Sequence, residues 1–436
     1  MNQPQHVKLL IAAHSGSRGG AEYCLDTLLE HLDRQRFEAR VLFAWDGPMV
    51  EMARQRGYSV EIWPWAWWMG YEPTFWHWRN VLLGSMWRAM RLARRLRRER
   101  FTVVYTNTAV IFEPALAARW AGVPHVWHVH EILGPQSMRP HLLPWRWMVR
   151  AIGRWSKRVI FESHAARQQC QGLIPEEKMR VVYNSVRFRP WEEAPSADIA
   201  KGNATLSSGG QEGFPPHPAW LAPSHPLPRR GEGEEVPSAM PLSHDEQSGE
   251  QPCRVVWIGR LSERKDPISF LQAIARMQLR DRCQFLLVGT GPLEEQVRQM
   301  ITQLGLAEYC QLLGFQEDVQ SILREADVLV LTSREESFGL VLAEAGAFGL
   351  PVIATRTQGP TEIVLDGQTG FLVDVGDIAG LAAWMDRLAA DPTLRRQMGQ
   401  AGLQRVRQLF DPVKNTRQIE QIILEASFER MGVGGQ

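Results

Sequence analysis

Residues 331–373 read LTSREESFGLVLAEAGAFGLPVIATRTQGPTEIVLDGQTGFLV and carry the densest pattern of the 436-residue chain. A β-branched run ends in polar residues, a helical pattern begins near Phe338-Gly339, and a short apolar run, PVIAT, follows. Strand, helix and strand in this order are typical of the βαβ unit, which builds parallel sheets. We therefore predict an α/β fold whose binding loops follow the carboxyl ends of its strands.

The same alternation extends from this segment along most of the chain. In the second half the candidate strands are RVVWIG, QFLLVG, CQLLG, DVLVLTS and PVIAT. In the first half they are VKLLIAA, EARVLFA, VVYTN, HVWHVH, RVIFES and RVVYN. A chain of this length exceeds what one hydrophobic core usually serves, so two domains are expected.

The predicted domains are separated by a segment without periodicity. We expect a first Rossmann-like domain over residues 1–190 and a second over residues 253–410. Residues 195–252 are rich in Pro, Gly, Ser and Glu, which is typical of a disordered linker. Residues 411–436 have a helical pattern, and the sequence leaves open whether this helix crosses back to the first domain.

The composition argues against several classes of protein. Five cysteines, with no CxxC pair and no His cluster at metal-ligand spacing, disfavour a disulfide framework or a zinc site and favour the cytoplasm. The apolar run VKLLIAA leads into a Gly-rich turn, so we interpret it as a strand rather than a signal peptide. No stretch approaches the roughly 18 apolar residues of a membrane span.

Charge is distributed unevenly along the chain. Residues 1–190 hold 27 Lys and Arg against 15 Asp and Glu, a net charge of +12, whereas the whole chain has +1. A basic half suggests an anionic partner, either nucleic acid or a membrane surface. No nucleic-acid-binding motif is present, so we expect no nucleic acid partner.

Residues 63–100 concentrate tryptophan and arginine. Seven of the 17 tryptophans lie between Trp63 and Trp87, and seven arginines follow from Arg88 to Arg100. An amphipathic stripe runs beside the arginines, formed by Leu82, Met86, Met90, Ala93 and Leu96. We expect docking on an anionic membrane, on its cytoplasmic face. Alternatively the stripe packs on the sheet and the tryptophans line a pocket for a soluble acceptor.

Charged residues and glycines follow several strands of the second half. Glu336 and Glu344 stand eight residues apart and are expected near one helix face. Alternatively, Glu336 only caps the helix and Glu344 is a solvated surface residue. Arg260 and Lys265 follow one strand end, where two cations can neutralise a diphosphate or simply be solvated. Gly289 and Gly291 allow backbone to approach a ligand.

Together these segments resemble glycosyltransferase family 4, the retaining group 1 type with the GT-B fold. The resemblance rests on the Gly-Arg-Leu-Ser turn with Lys265, the Val-Gly-x-Gly-Pro turn, the Leu-Gly-Phe turn, the Glu-x7-Glu element and Gly359 to Glu362. It covers most of the chain and implies two Rossmann-like domains facing each other across a cleft. The sequence departs from the family at Asp266, where Gly is frequent, and in the TQGPTE loop.

The resemblance also implies roles for individual residues. Arg260 and Lys265 would hold the diphosphate of a nucleotide-sugar donor, Glu336 would address the transferred sugar, and Glu344 would accept hydrogen bonds from the ribose. Backbone near Phe315 would receive the base. The start of the helix would bind the distal phosphate, and the donor-binding residues there are Ser337, Phe338, Gly339, Leu340 and Val341.

The first domain matches the family in its glycine loop and in HVWHVH. Gly16 and Gly20 would let backbone lie near the donor phosphate or the acceptor, with a tight turn as the alternative. His130 would lie near the reacting sugar as a catalytic residue, with a packed or solvated histidine as the alternative.

The resemblance implies transfer of a hexose, with retention, to a glycan or lipid-linked acceptor in cell-surface polysaccharide or lipopolysaccharide synthesis. No Asp-x-Asp element stands in a matching position, so we expect no metal and no cofactor. The alternatives are a nucleotide-sugar 2-epimerase of the same architecture and a non-catalytic sugar-nucleotide-binding protein.

Overall fold

The structure is a computed structural model that describes residues 6–69, 79–134, 143–186 and 251–428. Most of the predicted linker, 195–252, therefore lies outside the described residues. Within these ranges, no helix is long and apolar enough to cross a membrane.

The first domain alternates strands with helices. Its strands are β1 (Val7–Ala13), β2 (Phe37–Phe43), β3 (Ser59–Ile62), β4 (Val103–Thr106), β5 (His125–Val129), β6 (Arg158–Phe161) and β7 (Met179–Val181). Its α-helices are α1 (Gly20–His31), α2 (Pro48–Gln55), α3 (Ser85–Arg98), α4 (Glu113–Ala121), α5 (Trp145–Trp155) and α6 (His164–Gln169). A π-helical turn, Asn80–Gly84, precedes α3.

The second domain repeats this alternation. Its strands are β8 (Cys253–Ile258), β9 (Cys283–Val288), β10 (Cys310–Gly314), β11 (Val328–Leu331), β12 (Val352–Thr355) and β13 (Gly370–Val373). Its helices are α7 (Pro267–Arg276), α8 (Glu294–Gln303), α9 (Val319–Glu325), α10 (Leu340–Ala347), α11 (Pro360–Ile363), α12 (Ile378–Ala390) and α13 (Pro392–Leu409). The final helix is α14 (Pro412–Phe428).

Every strand pair in both sheets is parallel. The first sheet has the order β3-β2-β1-β4-β5-β6-β7, and the second has the order β10-β9-β8-β11-β12-β13. Each order reverses direction once, between β1 and β4 in the first sheet and between β8 and β11 in the second. Ligands of open α/β sheets bind at such reversal points, beyond the carboxyl ends of the strands.

The final helix packs on the first domain although it follows the second domain in sequence. Ile419, Ile422 and Ile423 of α14 join the core formed by β1 and α1. The Glu420 carboxylate accepts a hydrogen bond from the backbone amide of Asp33, with a distance of 2.7 Å between the two heavy atoms. The helix therefore ties the end of the chain to the first domain.

In its described part, residues 63–69, the tryptophan-rich segment belongs mostly to the core, contrary to its expected place at a membrane surface. Trp65 and Trp68 are 0% and 3% exposed, and their indole nitrogens donate to the carbonyls of Ala13 and Ala109. A headgroup layer cannot reach these rings, because they already fill the space beneath the sheet. Trp87 remains at the surface and is 58% exposed. Trp76 and Trp78 lie outside the described residues.

The predicted amphipathic stripe divides into two parts. Ala93 and Leu96 are buried against the first domain, whereas Met86 and Met90 are 45% and 42% exposed. The side chain of Leu82 lies outside the described residues. The prediction of one continuous surface stripe was therefore wrong, because the helix buries the positions that face the sheet and exposes the others.

Candidate active site

The predicted donor residues lie at the reversal point of the second sheet. The segment after β8 carries Arg260 and Lys265, and the segment after β11 carries Glu336 and leads into α10. Because β8 and β11 are hydrogen-bonded neighbours, the two segments leave the same sheet edge side by side. The fold thus brings together residues that are about 70 positions apart in sequence.

Lys265 and Glu336 form a buried ion pair at this edge. The Lys265 ammonium donates to the Glu336 carboxylate, which also accepts from the Ser333 hydroxyl at 3.2 Å. Burial by itself would raise the pKa of Glu336, but the charges of Lys265 and Arg264 and these hydrogen bonds bring its pKa below the ordinary value. Glu336 is therefore ionised at neutral pH, and Lys265 is the cation that compensates it.

Arg260 differs from Lys265 in its surroundings. Its side chain is exposed and makes no hydrogen bond or ion pair within the part of the chain that the structure describes. A guanidinium without such a partner can donate two parallel hydrogen bonds to a phosphate without first breaking an ion pair. Of the two cations predicted to clamp a diphosphate, Arg260 has the available charge.

Glu336 and Glu344 do not share a helix face, so the prediction from their spacing was wrong. Gly339, with φ +93°, stands just before α10, and Glu336 lies in the loop ahead of it. Glu336 does not cap the helix either, because α10 has no side-chain cap. Glu344 lies in α10 and is partly buried, and this burial raises the pKa of its carboxyl to about 7.

The start of α10 leaves backbone amides free to bind an anion. The first amides of a helix lack intrahelical partners and lie at the positive end of its dipole. Since no side chain caps α10, the amides near Leu340 and Val341 are available for a phosphate. The predicted phosphate-binding segment has the geometry that this chemistry needs.

Asp266 has a backbone conformation that usually favours glycine. Its φ of +47° lies in the left-handed region that most side chains avoid. Its carboxylate accepts from the backbone amide of Ser269 at the start of α7 and pairs with Arg334 at 2.8 Å. These contacts hold the loop after β8 in place, so the departure from the family pattern is accommodated.

Gly289 and Gly291 have a structural role within the second domain. A Cβ at Gly289 would collide with the carbonyl of Gly259, and a Cβ at Gly291 would collide with the backbone of Leu261. The two glycines thus let the turns after β8 and β9 pack together. Contact of either glycine with a donor stays a prediction.

Gly16 has the same kind of role in the first domain. A Cβ there would collide with the carbonyl of Trp45, because the loop after β1 lies against the loop after β2. Phe315, the predicted neighbour of the base, is 65% exposed at the end of β10. Its surface position leaves room for a planar ligand.

The two domains meet at the residues predicted to hold the donor. A Cβ on Gly20, at the start of α1, would lie 3.4 Å from a methyl carbon of Leu340, at the start of α10. Ser337 donates from its hydroxyl to the carbonyl of His130 at 3.3 Å. Two helix N-termini, one from each domain, therefore converge at the junction, and together they favour a negatively charged ligand there.

His130 is buried in the first domain and held on two sides. Its Nε2 lies 3.2 Å from Asn107 Oδ1, and its Nδ1 lies 3.4 Å from Glu162 Oε2. The Asn107 amide nitrogen donates to the carbonyl of Ala21, so its oxygen faces the imidazole and accepts from Nε2. Contact of His130 with a sugar stays a prediction, because its ring is occupied within the domain.

Several buried polar atoms at and around His130 make no hydrogen bond to a described residue, and His130 Nδ1 has only its ion-pair contact with Glu162. Within the described ranges, His130 Nδ1, His128 Nε2, Glu162 Oε1 and Asn184 Oδ1 are buried without a hydrogen bond. Glu162 is 2% exposed, and burial raises the pKa of its carboxyl. Buried polar groups are costly to leave unpaired and are common at functional sites. Glu162 and Asn184 are thus candidate site residues.

Glu362 joins the two domains. Its carboxylate accepts from the backbone amides of His164 and Ala165 at 2.9 and 2.6 Å and from the Tyr183 hydroxyl at 3.1 Å. It lies in α11, just after Gly359, which packs against Phe338. These contacts fasten the second domain to the first.

Both halves of the chain match models of glycosyltransferase families. Residues 18–188 match Glycosyltransferase Family 4, and residues 242–405 match Glycosyl transferases group 1. The chain belongs to the group 1 and family 4 glycosyltransferases. The predicted GT-B fold is confirmed, because the Anabaena protein HepE, solved in complex with UDP, superposes with a TM-score of 0.70. That comparison covers 96% of this chain and 100% of HepE, at 23% identity.

Curated relatives match this chain over part of their length. The N-acetyl-alpha-D-glucosaminyl L-malate synthase of Bacillus anthracis is 38% identical over 35% of this chain and 40% of its own. The lipopolysaccharide core biosynthesis glycosyltransferase LpsE of Rhizobium meliloti is 33% identical over 34% of this chain and 43% of its own. The chain thus spans about two fifths of the length of these relatives.

Proposed function

We propose that this protein transfers a hexose from a nucleotide-sugar donor to a glycan or lipid-linked acceptor, with retention of configuration. The observation that supports this most is the convergence of two uncapped helix N-termini, at Gly20 and Leu340, next to the Lys265–Glu336 pair, with Arg260 on the loop after the adjacent strand β8. This arrangement is suited to a diphosphate. Two similar proteins of Rhizobium meliloti, LpsE and LpsD, are lipopolysaccharide core biosynthesis glycosyltransferases, which supports a role in cell-surface polysaccharide synthesis.

In this proposal the second domain stabilises the departing nucleoside diphosphate. Arg260 and the amides of α10 would bind the phosphate oxygens on which negative charge develops as the glycosidic bond breaks. The ionised Glu336 would orient the sugar while Lys265 holds its carboxylate in place. The acceptor would attack the same face of the sugar, with the leaving phosphate taking its proton.

Glu344 would bind the ribose of the donor. A carboxylate accepts hydrogen bonds from hydroxyls, so donor binding favours the ionised form of a group whose free pKa is about 7. Donor binding should then release a proton near neutral pH. We propose that no metal is required, because Arg260 and the helix amides supply the positive charge, and chelation with EDTA should leave the rate unchanged.

A donor panel tests the proposal. Thermal unfolding is measured with UDP-, GDP- and ADP-sugars, because a ligand that binds only the folded state raises the melting temperature. The stabilising donor is then incubated with and without acceptor extracts. Release of nucleoside diphosphate that depends on acceptor supports transfer. Epimerisation of the free nucleotide sugar without acceptor would instead identify a 2-epimerase, and no stabilisation by any donor would contradict sugar-nucleotide binding.

We further propose that the first domain docks on the cytoplasmic face of an anionic membrane. The supporting surface lies on α3 and the π-helical turn before it, where Leu83, Met86, Trp87 and Met90 are between 42% and 70% exposed. Exposed arginines of the same helix, including Arg94 and Arg98, would attract anionic headgroups. Co-sedimentation with anionic and neutral vesicles at low and high salt tests this docking. Equal recovery on both kinds of vesicle would reject an electrostatic contribution.

A further inference from the structure

The first domain holds a basic cavity that the proposed reaction does not use. It lies between β3 and α3, with a volume of about 550 Å³. None of its lining residues belongs to the donor site. They are Glu61, Ile62, Trp63, Pro64, Trp87, Arg88, Arg91, Arg94, Arg95, Arg98 and Glu99.

Five arginines line this cavity against two glutamates. The guanidinium of Arg95 is already paired, because it donates hydrogen bonds to both Glu61 and Glu99. The guanidinium of Arg88 is also paired, because it forms an ion pair with the fully buried Glu113 at 2.6 Å. Arg91 and Arg94 make no hydrogen bond or ion pair to any residue that the structure describes. The cavity therefore has an excess of positive charge that is not compensated from within.

The guanidinium of Arg91 is held in place by two indoles. Its central carbon lies 5.1 Å from the ring centroid of Trp63 and 5.6 Å from that of Trp87. Trp63 is 7% exposed, so one side of this clamp is anchored in the core. Ring contacts leave the N–H groups of a guanidinium unused, and a positioned guanidinium forms bidentate bonds to phosphate at a low entropic cost.

An apolar rim adjoins the cavity on α3 and on the π-helical turn that precedes it. Leu83, Met86, Trp87 and Met90 follow the spacing that brings residues to one helix face, and all four are exposed. Trp87 belongs both to this rim and to the cavity wall. A free phosphate would use the arginines and leave the rim in water. A lipid satisfies both, because its phosphate can enter the cavity while its chains contact the rim.

We propose that the cavity between β3 and α3 binds the terminal phosphate of a single membrane lipid, with Arg91 and Arg94 as its phosphate ligands. This inference rests on the proposed membrane docking and adds a defined site to it. Diffuse attraction depends on net charge alone. A phosphate site depends in addition on the planar fork of arginine, which lysine lacks.

The experiment compares vesicles of phosphatidylcholine with phosphatidic acid and vesicles of phosphatidylcholine with phosphatidylglycerol at matched surface charge. Phosphatidic acid offers a terminal phosphate, whereas phosphatidylglycerol offers a diester. The wild-type protein should bind the phosphatidic acid vesicles more tightly. Arg91→Lys keeps the charge and should weaken that binding about tenfold, the effect of losing about 1.4 kcal/mol. Its binding to phosphatidylglycerol should change little.

Matched variants outside the cavity control for general effects. Arg119→Lys and Arg154→Lys alter exposed arginines of α4 and α5 that do not line the cavity, and both should bind like wild type. Each variant is also checked for an unchanged melting temperature and for unchanged binding of nucleoside diphosphate.

The outcomes separate the cavity from the docking. If Arg91→Lys binds phosphatidic acid as wild type does while Arg91→Gln with Arg94→Gln weakens binding to both lipids, docking is diffuse and the cavity proposal is overturned. Inorganic phosphate and a short-chain phosphatidic acid are also compared as competitors for phosphatidic acid vesicles. If inorganic phosphate displaces the protein as readily as the short-chain phosphatidic acid does, the site binds a free anion and not a lipid. If no vesicle is bound, both the docking and the cavity fail, whereas sugar transfer is unaffected.

Discussion

Buried positive charge is paired at the donor site of the second domain, whereas part of the positive charge on α3 of the first domain is exposed and unpaired among the described residues. In the second domain, Lys265 is partly buried and neutralised by Glu336. On α3 of the first domain, Arg91 and Arg94 stay exposed and have no carboxylate partner among the described residues. A buried pair is screened little by salt, whereas exposed charges are screened strongly. The first arrangement suits an ordered reaction site and the second suits a reversible contact with a surface.

The largest expected effect is at Arg260, the exposed cation beside the buried pair. Arg260→Ala should lower turnover by about two to three orders of magnitude, by analogy with the loss of one preorganised donor to a developing charge. The fold should be unchanged, because the Arg260 side chain makes no contact that the described structure depends on. Steady-state kinetics and thermal unfolding measure both. Turnover close to wild type would remove Arg260 from the diphosphate site.

Two tryptophans sharpen the contrast within residues 63–100. Trp68 stacks on Trp127 and Phe112 and is 3% exposed, so Trp68→Ser should lower the free energy of unfolding by about 3–5 kcal/mol. Trp87→Ser changes an exposed ring and should stay within about 0.5 kcal/mol, while weakening binding to anionic vesicles. Chemical denaturation of both variants tests this. Similar losses in the two variants would contradict the division between core and surface.

Glu344 gives a smaller effect that depends on pH. Its pKa is raised from 4.5 to about 7 by burial, so the folded protein keeps this proton to higher pH than the unfolded chain. The resulting stability is fully present below about pH 4.5 and is lost as the pH rises toward 7. Glu344→Gln cannot ionise and should therefore become more stable relative to wild type across this window. A pH-independent difference would contradict the raised pKa.

The smallest expected effect concerns the segment between the domains. Replacing residues 197–250 by a short Gly/Ser linker should leave the melting temperature and turnover nearly unchanged, because the sequence there lacks a core-forming pattern. The comparison is made with the full chain under the same conditions. A large loss of either quantity would show that the segment folds or binds.

Most of the fold is predictable from local sequence patterns. The strands around VKLLIAA and RVVWIG are β-branched, apolar and followed by glycine or polar turns, and each forms a parallel strand. Strand β3, with the sequence SVEI, was not predicted, because half of its residues are polar and it lies at a sheet edge. Strand β13, GFLV, is short and begins with glycine, which weakens the signal of a strand.

The candidate site was predicted in its residues more than in its geometry. Lys265 and Glu336 were assigned separately, and only the adjacency of β8 and β11 shows that they pair. Glu162 and Asn184 were missed, because the contacts of Glu162 with Asn184 and with His130 depend on the packing of separate strands. Composition was the weakest guide, since it could not show that Trp65 and Trp68 face the core.

Calorimetric titration of UDP, GDP and ADP measures directly whether a nucleoside diphosphate binds where α1 and α10 converge. We predict that one of the three binds with one site per chain, that Arg260→Ala weakens it about tenfold or more through the loss of a charge-assisted contact, and that wild-type affinity falls as the pH drops below about 7. Absence of binding by all three, or binding that Arg260→Ala leaves unchanged, would contradict the account.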